Sequence, residues 1–145
     1  MELKAAATTD QGLIRDGTDQ CFMEDVVQAS MEVPGIVDFW APWCGPCKQL
    51  GPVLEKAVTD ARGKVRLVKI NIDKHPAIAG QLRVQSIPAV FAFIGGQPAD
   101  AFMGAQSASQ IKAFVERLIA AAGPAAGVEE ALDAVEASVS LNQAV

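Results

Sequence analysis

The chain has 145 residues, of which 50% are hydrophobic and 20% charged, with a formal net charge of −5. That length holds one domain with a proper core plus an appendage, and the composition is globular rather than disordered. The acidic balance argues against a nucleic-acid binder.

In chain order, residues 1–11 read as a flexible N-terminal arm, small and polar. Gly12 to Arg15 forms a short edge strand. Thr18 or Asp19 is the expected N-cap of a helix running to about Met31, with Phe22, Val26, Val27 and Met31 facing inward. Cys21 lies in its first turn and reads as a small half-buried residue rather than a sensor thiol, since free cysteine packs readily as a hydrophobe. The run from Gly35 to Trp40 is apolar without alternation, the pattern of a strand buried on both faces.

A helix is expected from Cys47 to about Ala61, kinked by the proline at position 52 and followed by Gly63. Val65 to Asp73 is the next strand, and a helix joining two such strands makes a βαβ crossover and a parallel pair. A short helix follows around His75 to Leu82. Ala89 to Ile94 and Ala99 to Met103 are strands joined by Gly95-Gly96-Gln97-Pro98, a hairpin composition. Ser107 caps a last helix with Ile111, Phe114, Val115, Leu118 and Ile119 at helical spacing.

Beyond it lies a linker, Gly123 to Gly127. Val128, Leu132, Val135 and Val139 then recur at four, three and four residues, the apolar stripe of an amphipathic helix. The acids Glu129, Glu130, Asp133 and Glu136 hold the other side. Residues 123–145 contain no Lys or Arg, so the first 122 residues are nearly neutral, at −1. One such stripe is not stable alone in water. It must lie on the domain, on another copy or on a further segment.

No apolar run approaches the roughly 18 residues that span a bilayer, and the first residues show no secretory signal. Three cysteines, two of them in one motif, do not make a disulfide scaffold. The expected location is cytoplasmic and reducing, with no membrane partner. In that setting Cys-x-x-Cys is usually metal-binding or catalytic.

The pair sits in Trp43-Cys44-Gly45-Pro46-Cys47-Lys48, where the strand ending at Trp40 gives way to a helix. A cysteine at a helix N-terminus faces unpaired backbone N–H groups and the positive end of the helix dipole. Both favour the thiolate, which is the nucleophile. On this reading Cys44 attacks and Cys47, one turn further in, resolves the mixed disulfide. Pro46 is preformed for a first helical turn. Zinc is the competing use, with Cys21, Cys44, Cys47 and His75 as nominal ligands. Structural zinc normally shows two paired knuckles, and here there is one pair with scattered residues. No metal is expected.

This segment, preceded by Val37-Asp38-Phe39-Trp40-Ala41, closely resembles the active site of the thioredoxins. The resemblance covers residues 12 to 122. It implies an α/β thioredoxin fold, a central mixed β-sheet flanked by helices, here with a short C-terminal helical extension over 123–145. It also implies a protein-disulfide reductase that needs no organic cofactor. Such a reductase acts on disulfide-containing proteins and takes its electrons from an external, flavin-dependent thioredoxin reductase.

Asp38 lies in a strand buried on both faces, where a carboxylate is costly and its pKa should rise. It is either a structural acid or the proton acceptor for Cys47, and the resemblance favours the second. Lys69 matches the lysine that partners this acid in the family. Ile87-Pro88 reads alone as an edge-strand proline. The resemblance implies a cis proline there, packed against the disulfide, with the backbone of Ile87 open to pair with an extended peptide. Trp43, Ile72, Ile87, Gly104 and Ala105 would line the surrounding groove. Two positions depart from the family pattern: Pro42 replaces a residue that is often acidic, and Met103 a small branched one. A second resemblance, carried by Asn71-Ile72-Asp73, Ser86 to Val90 and the C-terminal extension, is to YbbN-type (CnoX-like) co-chaperones. These join a thioredoxin domain to tetratricopeptide-like repeats and hold clients for a chaperonin. On that reading the domain mainly binds unfolded clients, and residues 123–145 begin a truncated repeat region.

Overall fold

The computed structural model describes residues 12–123. The expected N-terminal arm and the amphipathic stripe of 128–139 lie outside the described residues. Five strands form one mixed sheet: β1 Ile14–Asp16, β2 Gly35–Trp40, β3 Arg66–Asn71, β4 Ala89–Ile94 and β5 Gln97–Met103, in the order β1-β3-β2-β4-β5. β3 pairs in parallel with both β1 and β2, while β4 runs antiparallel to β2 and β5 antiparallel to β4. The unalternated run Gly35–Phe39 is buried at every position, because β2 is central and covered on both faces.

Helices α2 Gly45–Asp60 and α4 Ala108–Ala122 cover one face. Their core joins Leu50, Leu54 and Val58 to Ile36, Leu67 and Val90 of the sheet and to Ile111, Phe114 and Leu118. The other face is covered by α1 and by α3 Pro76–Gln81, over Val37, Phe39, Val68, Ile70 and Phe93. α1 is a helical segment made of a π turn, Met23–Gln28, and a 3₁₀ turn, Ala29–Met31. α2 begins two residues earlier than expected and runs on through Pro52 as one element. Pro52 has no N–H to donate to the Lys48 carbonyl one turn back.

The α1 segment corrects three expectations. The π turn closes i→i+5 bonds, which shifts the helical phase, so Met31 is 66% exposed while Phe22 and Val26 are buried. The inward position passes to Ser30, whose Oγ donates to the Val27 carbonyl (2.7 Å) and accepts the Gly96 N–H (2.8 Å). Cys21 precedes the packed face and is exposed, not half-buried. Thr18 does cap the turn, its Oγ1 accepting the Cys21 N–H at 3.0 Å. Asp19 caps a different helix: its two carboxylate oxygens accept the Ala77 and Ile78 N–H groups of α3, each at 3.0 Å.

The hairpin turn is tighter than expected. Gly95 and Gly96 alone form it, with φ of +61° and +84°, and Ile94 pairs with Gln97 across it. Positive φ at both positions is the requirement of a type I′ turn. Ser107 caps α4 in a reciprocal box with Gln110.

Gly17 has no room for a side chain. A Cβ there would overlap Cγ1 of Val68 and stand 3.4 Å from Ile70, and Val68 is β-branched and stiff at χ1. Gly17→Ala is therefore expected to destabilise the fold by about 1–3 kcal/mol. Urea unfolding measures this, and a midpoint equal to wild type would show that the β1–β3 edge yields freely.

Candidate active site

The sheet register sets the site. Phe39 pairs with Ile70 and with Ala89, and Ala89 pairs with Met103. The loops after β2, after β3, before β4 and after β5 therefore emerge at one end of the sheet. They carry Ala41–Cys44, Ile72–Asp73, Ile87–Pro88 and Gly104–Ala105.

Cys44 is the N-cap of α2 in extended conformation, and Cys47 is its third residue. The two form a disulfide with their Cα atoms 5.3 Å apart. Sγ of Cys44 also accepts the Cys47 N–H at 3.2 Å. The cap position that serine or aspartate usually fills is thus held by sulfur, which meets the orphan N–H groups of the first turn. Gly45 and Pro46 are exposed, and Pro46 occupies the first turn, where its missing N–H costs no bond. Exposure does not separate the two cysteines, at 5% and 4%. Position does: Cys47 begins the buried stripe of α2 that continues through Leu50, Gly51, Leu54 and Val58, whereas Cys44 adjoins Trp43, which is 67% exposed.

Asp38 shares its sheet face with Ile36, the face that α2 covers. It is 1% exposed, and its Oδ1 has no hydrogen-bond partner among the described residues. Its pKa is pushed up to about 6, first by burial and second by the carboxylate of Glu55, while the Lys69 charge pulls it down more strongly than Glu55 raises it. Lys69 lies opposite Asp38 in the β2–β3 register. Its amine forms its ion pair with Glu55 at 2.6 Å, beside the Trp40 ring, whose centroid is 5.7 Å away. Lys69 therefore acts on Asp38 through its field, and Glu55 takes the direct bond. The Trp40 indole N–H is also buried without a partner among the described residues.

Sequence reading passed over Glu55, although Cys47, Gly51 and Glu55 recur every four residues along α2. It also missed the partner of Trp43: the indole N–H donates to the Asp73 carboxylate at 3.1 and 3.2 Å. The Ile87-Pro88 peptide is cis and Pro88 is buried, its carbonyl accepting the Gly104 N–H at 2.9 Å. Ile72 and Ile87 are half-buried against the α1–α3 core. Gly104 takes φ +84°, Ala105 and Pro42 are exposed, and Met103 is 47% exposed with Ser86 against its sulfur. His75 accepts the Asp19 N–H at 3.4 Å, a structural contact between loops. No group of three or more His, Cys, Asp or Glu among the described residues is placed to hold a metal ion.

A redox-active disulfide capping a helix at the end of a mixed five-stranded sheet defines a thiol–disulfide oxidoreductase. The Thioredoxin family model matches residues 14–117. The chain is 39% identical over 100 residues to thioredoxin 1 of Nostoc sp., covering 69% of this chain and 92% of that protein. It is 40% identical over 102 residues to a thioredoxin of Synechocystis sp., covering 70% and 94%. With the mitochondrial thioredoxin of Bos taurus the identity is 44% over 106 residues, covering 73% and 61%. The chain belongs to the thioredoxin family.

Proposed function

We propose that this oxidoreductase reduces disulfides in protein substrates by two successive exchanges, with Cys44 as the attacking residue. The observation that carries the assignment is the N-cap position of Cys44, whose sulfur accepts a helix N–H. The same bond and the helix dipole stabilise the thiolate once the disulfide is reduced. The Cys44 thiolate attacks one sulfur of the substrate disulfide, forming a mixed disulfide and releasing the other as a thiolate that takes up a proton. Cys47 then loses its proton to Asp38 and attacks Sγ of Cys44. The second substrate sulfur leaves as a thiolate and takes up the proton that Asp38 received, and the chain is left with its Cys44–Cys47 disulfide. Two electrons have passed to the substrate. An external thioredoxin reductase returns them, and no organic cofactor of the chain's own takes part.

Asp38 suits the proton-accepting role because its raised pKa leaves it a base near neutrality that still holds a proton readily. Lys69 and Glu55 tune it by charge. The substrate strand docks between Trp43 and Ile87-Pro88, with Ile72, Gly104 and Ala105 completing the groove. Among the described residues the Ile87 backbone has no backbone partner, which leaves it open to strand addition. No described helix is long and apolar enough to cross a membrane, and a cytoplasmic reducing setting fits the reductase direction. The co-chaperone reading depends on residues 123–145, of which only Gly123 is described.

The test is a trap. Cys47→Ser cannot complete the second exchange, so in cell extract it is expected to accumulate mixed disulfides with many proteins, all released by reductant. Recovery of no disulfide-linked protein would overturn protein disulfides as the substrate class. A chaperonin held after reduction would favour the co-chaperone.

A further inference from the structure

Lys69 has two carboxylates within its reach, and its direct bond goes to the outer one. Asp38 and Lys69 are register partners across β2 and β3, so their side chains leave the sheet on the same face, under α2. On α2, Cys47, Gly51 and Glu55 recur every four residues and share one side of the helix. Gly51 puts no side chain in the way, and even a Cβ there would stand 4.0 Å from Nζ of Lys69. The ammonium therefore passes Gly51 freely and bonds Glu55 at 2.6 Å. Glu55 keeps 37% of its side chain exposed, whereas Asp38 is buried and its Oδ1 has no partner among the described residues. An ionised carboxylate at Asp38 would draw the ammonium inward, because burial without a partner costs it more than it costs a half-exposed acid that water solvates. The short charge-assisted bond to Glu55 opposes that pull.

We propose that Glu55 is a positioning residue for the second exchange: by holding the Lys69 amine off Asp38, it keeps that carboxylate basic enough to take the Cys47 proton. The proposal rests on the proton-accepting role given to Asp38 above. Other elements packed on Asp38 bring no charge to it. β4 sets Val90 opposite, and α4 adds only apolar side chains to this core. Lys69, Glu55 and the Cys47 thiol are the titratable groups that remain. Burial raises the Asp38 pKa and the Lys69 charge lowers it, and a direct bond to the ammonium would deepen that lowering. A weaker base takes the proton more slowly. The chemistry of the step is otherwise unchanged. The proton goes from Sγ of Cys47 to an Asp38 oxygen, the new thiolate attacks Sγ of Cys44, and Glu55 touches neither reacting sulfur.

The test is Glu55→Gln in the full chain, which keeps the length of the side chain and removes its charge. Glu55 belongs to neither buried core, so the variant is expected to fold. Two quantities are followed against pH. One is the carbon-13 shift of the Asp38 carboxyl in the reduced protein, and the other is the single-turnover rate at which a mixed disulfide on Cys44 is resolved. The Asp38 inflection is expected to move to lower pH by about one unit, and resolution at neutral pH to slow about threefold. Both causes act in one direction, since losing the Glu55 charge removes a repulsion and frees the ammonium for Asp38. Glu55→Asp keeps the charge and is expected to return the inflection toward wild type. In a Lys69→Met background, adding Glu55→Gln is expected to shift it far less, because no ammonium is released. An inflection unmoved by Glu55→Gln would overturn the proposal and leave disulfide reduction by Cys44 standing. An equal shift in the Lys69→Met background would overturn the positioning, because Glu55 would then act by its own charge alone. A moved inflection with wild-type resolution at every pH would overturn Asp38 as the proton acceptor, and the proposal with it.

Discussion

Replacing Cys44 with serine is expected to abolish turnover of a protein disulfide such as insulin, by at least about a thousandfold, roughly 4 kcal/mol in barrier. The hydroxyl keeps the N-cap, because serine is a preferred capping residue, so the fold and the start of α2 survive. What is lost is the sulfur. An alkoxide is not formed at neutral pH, and an oxygen cannot enter a disulfide. The comparison with Cys47→Ser separates the two roles. That variant retains the first exchange and stalls after one equivalent, with substrate bound through Cys44, whereas Cys44→Ser binds none. A Cys44→Ser protein that turned over insulin at the wild-type rate would remove Cys44 from the reaction.

The second large effect is a dependence of stability on pH that belongs to one residue. Asp38 titrates near 6 in the folded chain against an ordinary value of 3.8. Between those values the folded state holds a proton that the unfolded state has released, so stability falls as pH rises through the window and levels off above it. At 1.36 kcal/mol per unit the change amounts to about 3 kcal/mol. Asp38→Ala lacks this titration. Relative to wild type, its stability in urea unfolding is expected to improve by about 3 kcal/mol between pH 3.5 and 7.5. Other carboxylates cancel in the difference, as does the constant cost of the cavity. A difference independent of pH would show that Asp38 is ionised throughout. The same variant should lose the inflection near pH 6 in the resolution step while retaining the first exchange.

Destabilisation and the proton-accepting role proposed for Asp38 are linked. A buried carboxylate without a full set of partners is costly to the fold, and it is that cost which holds its proton affinity near the working pH. Lys69 and Glu55 set the balance: with the amine committed to Glu55, its charge lowers the Asp38 pKa without quenching the acid by a direct bond.

Much of this was legible in the residues because it is local. The unalternated run to Trp40, the dithiol at a helix start, the spacing from Ile111 to Leu118 and the glycine pair each carry a short-range signature, and the strands and helices appear where those signatures put them. The misses share a different cause. Asp19 caps a helix through an N–H 58 residues later, Ser30 locks a hairpin glycine 66 residues away, and Asp73 meets Trp43 across 30. Such bonds depend on which elements the sheet brings together and leave no periodic trace. Met31 failed for another reason: a π turn breaks the 3.6-residue rhythm that any helical stripe assumes. Lys69 was legible as a position but not as a bond, since Glu55 competes for it from a helix whose packing depth no pattern reveals.

The register that delivers four loops to one end of the sheet also divides how this protein can change over generations. Pro42 and Ala105, in the loops after β2 and β5, and Met103, the last residue of β5, are exposed and belong to neither core cluster. If substrate docks as proposed, substitutions there are expected to alter which partner fits while leaving the packing of β2 and α2 untouched. Cys47 and Asp38 are built into the buried layer itself, so a substitution at either disturbs the architecture together with the proton transfer proposed for them. On the proposed reaction, a change of clientele therefore needs only the loops, one at a time, while a change of chemistry has to pass through the core.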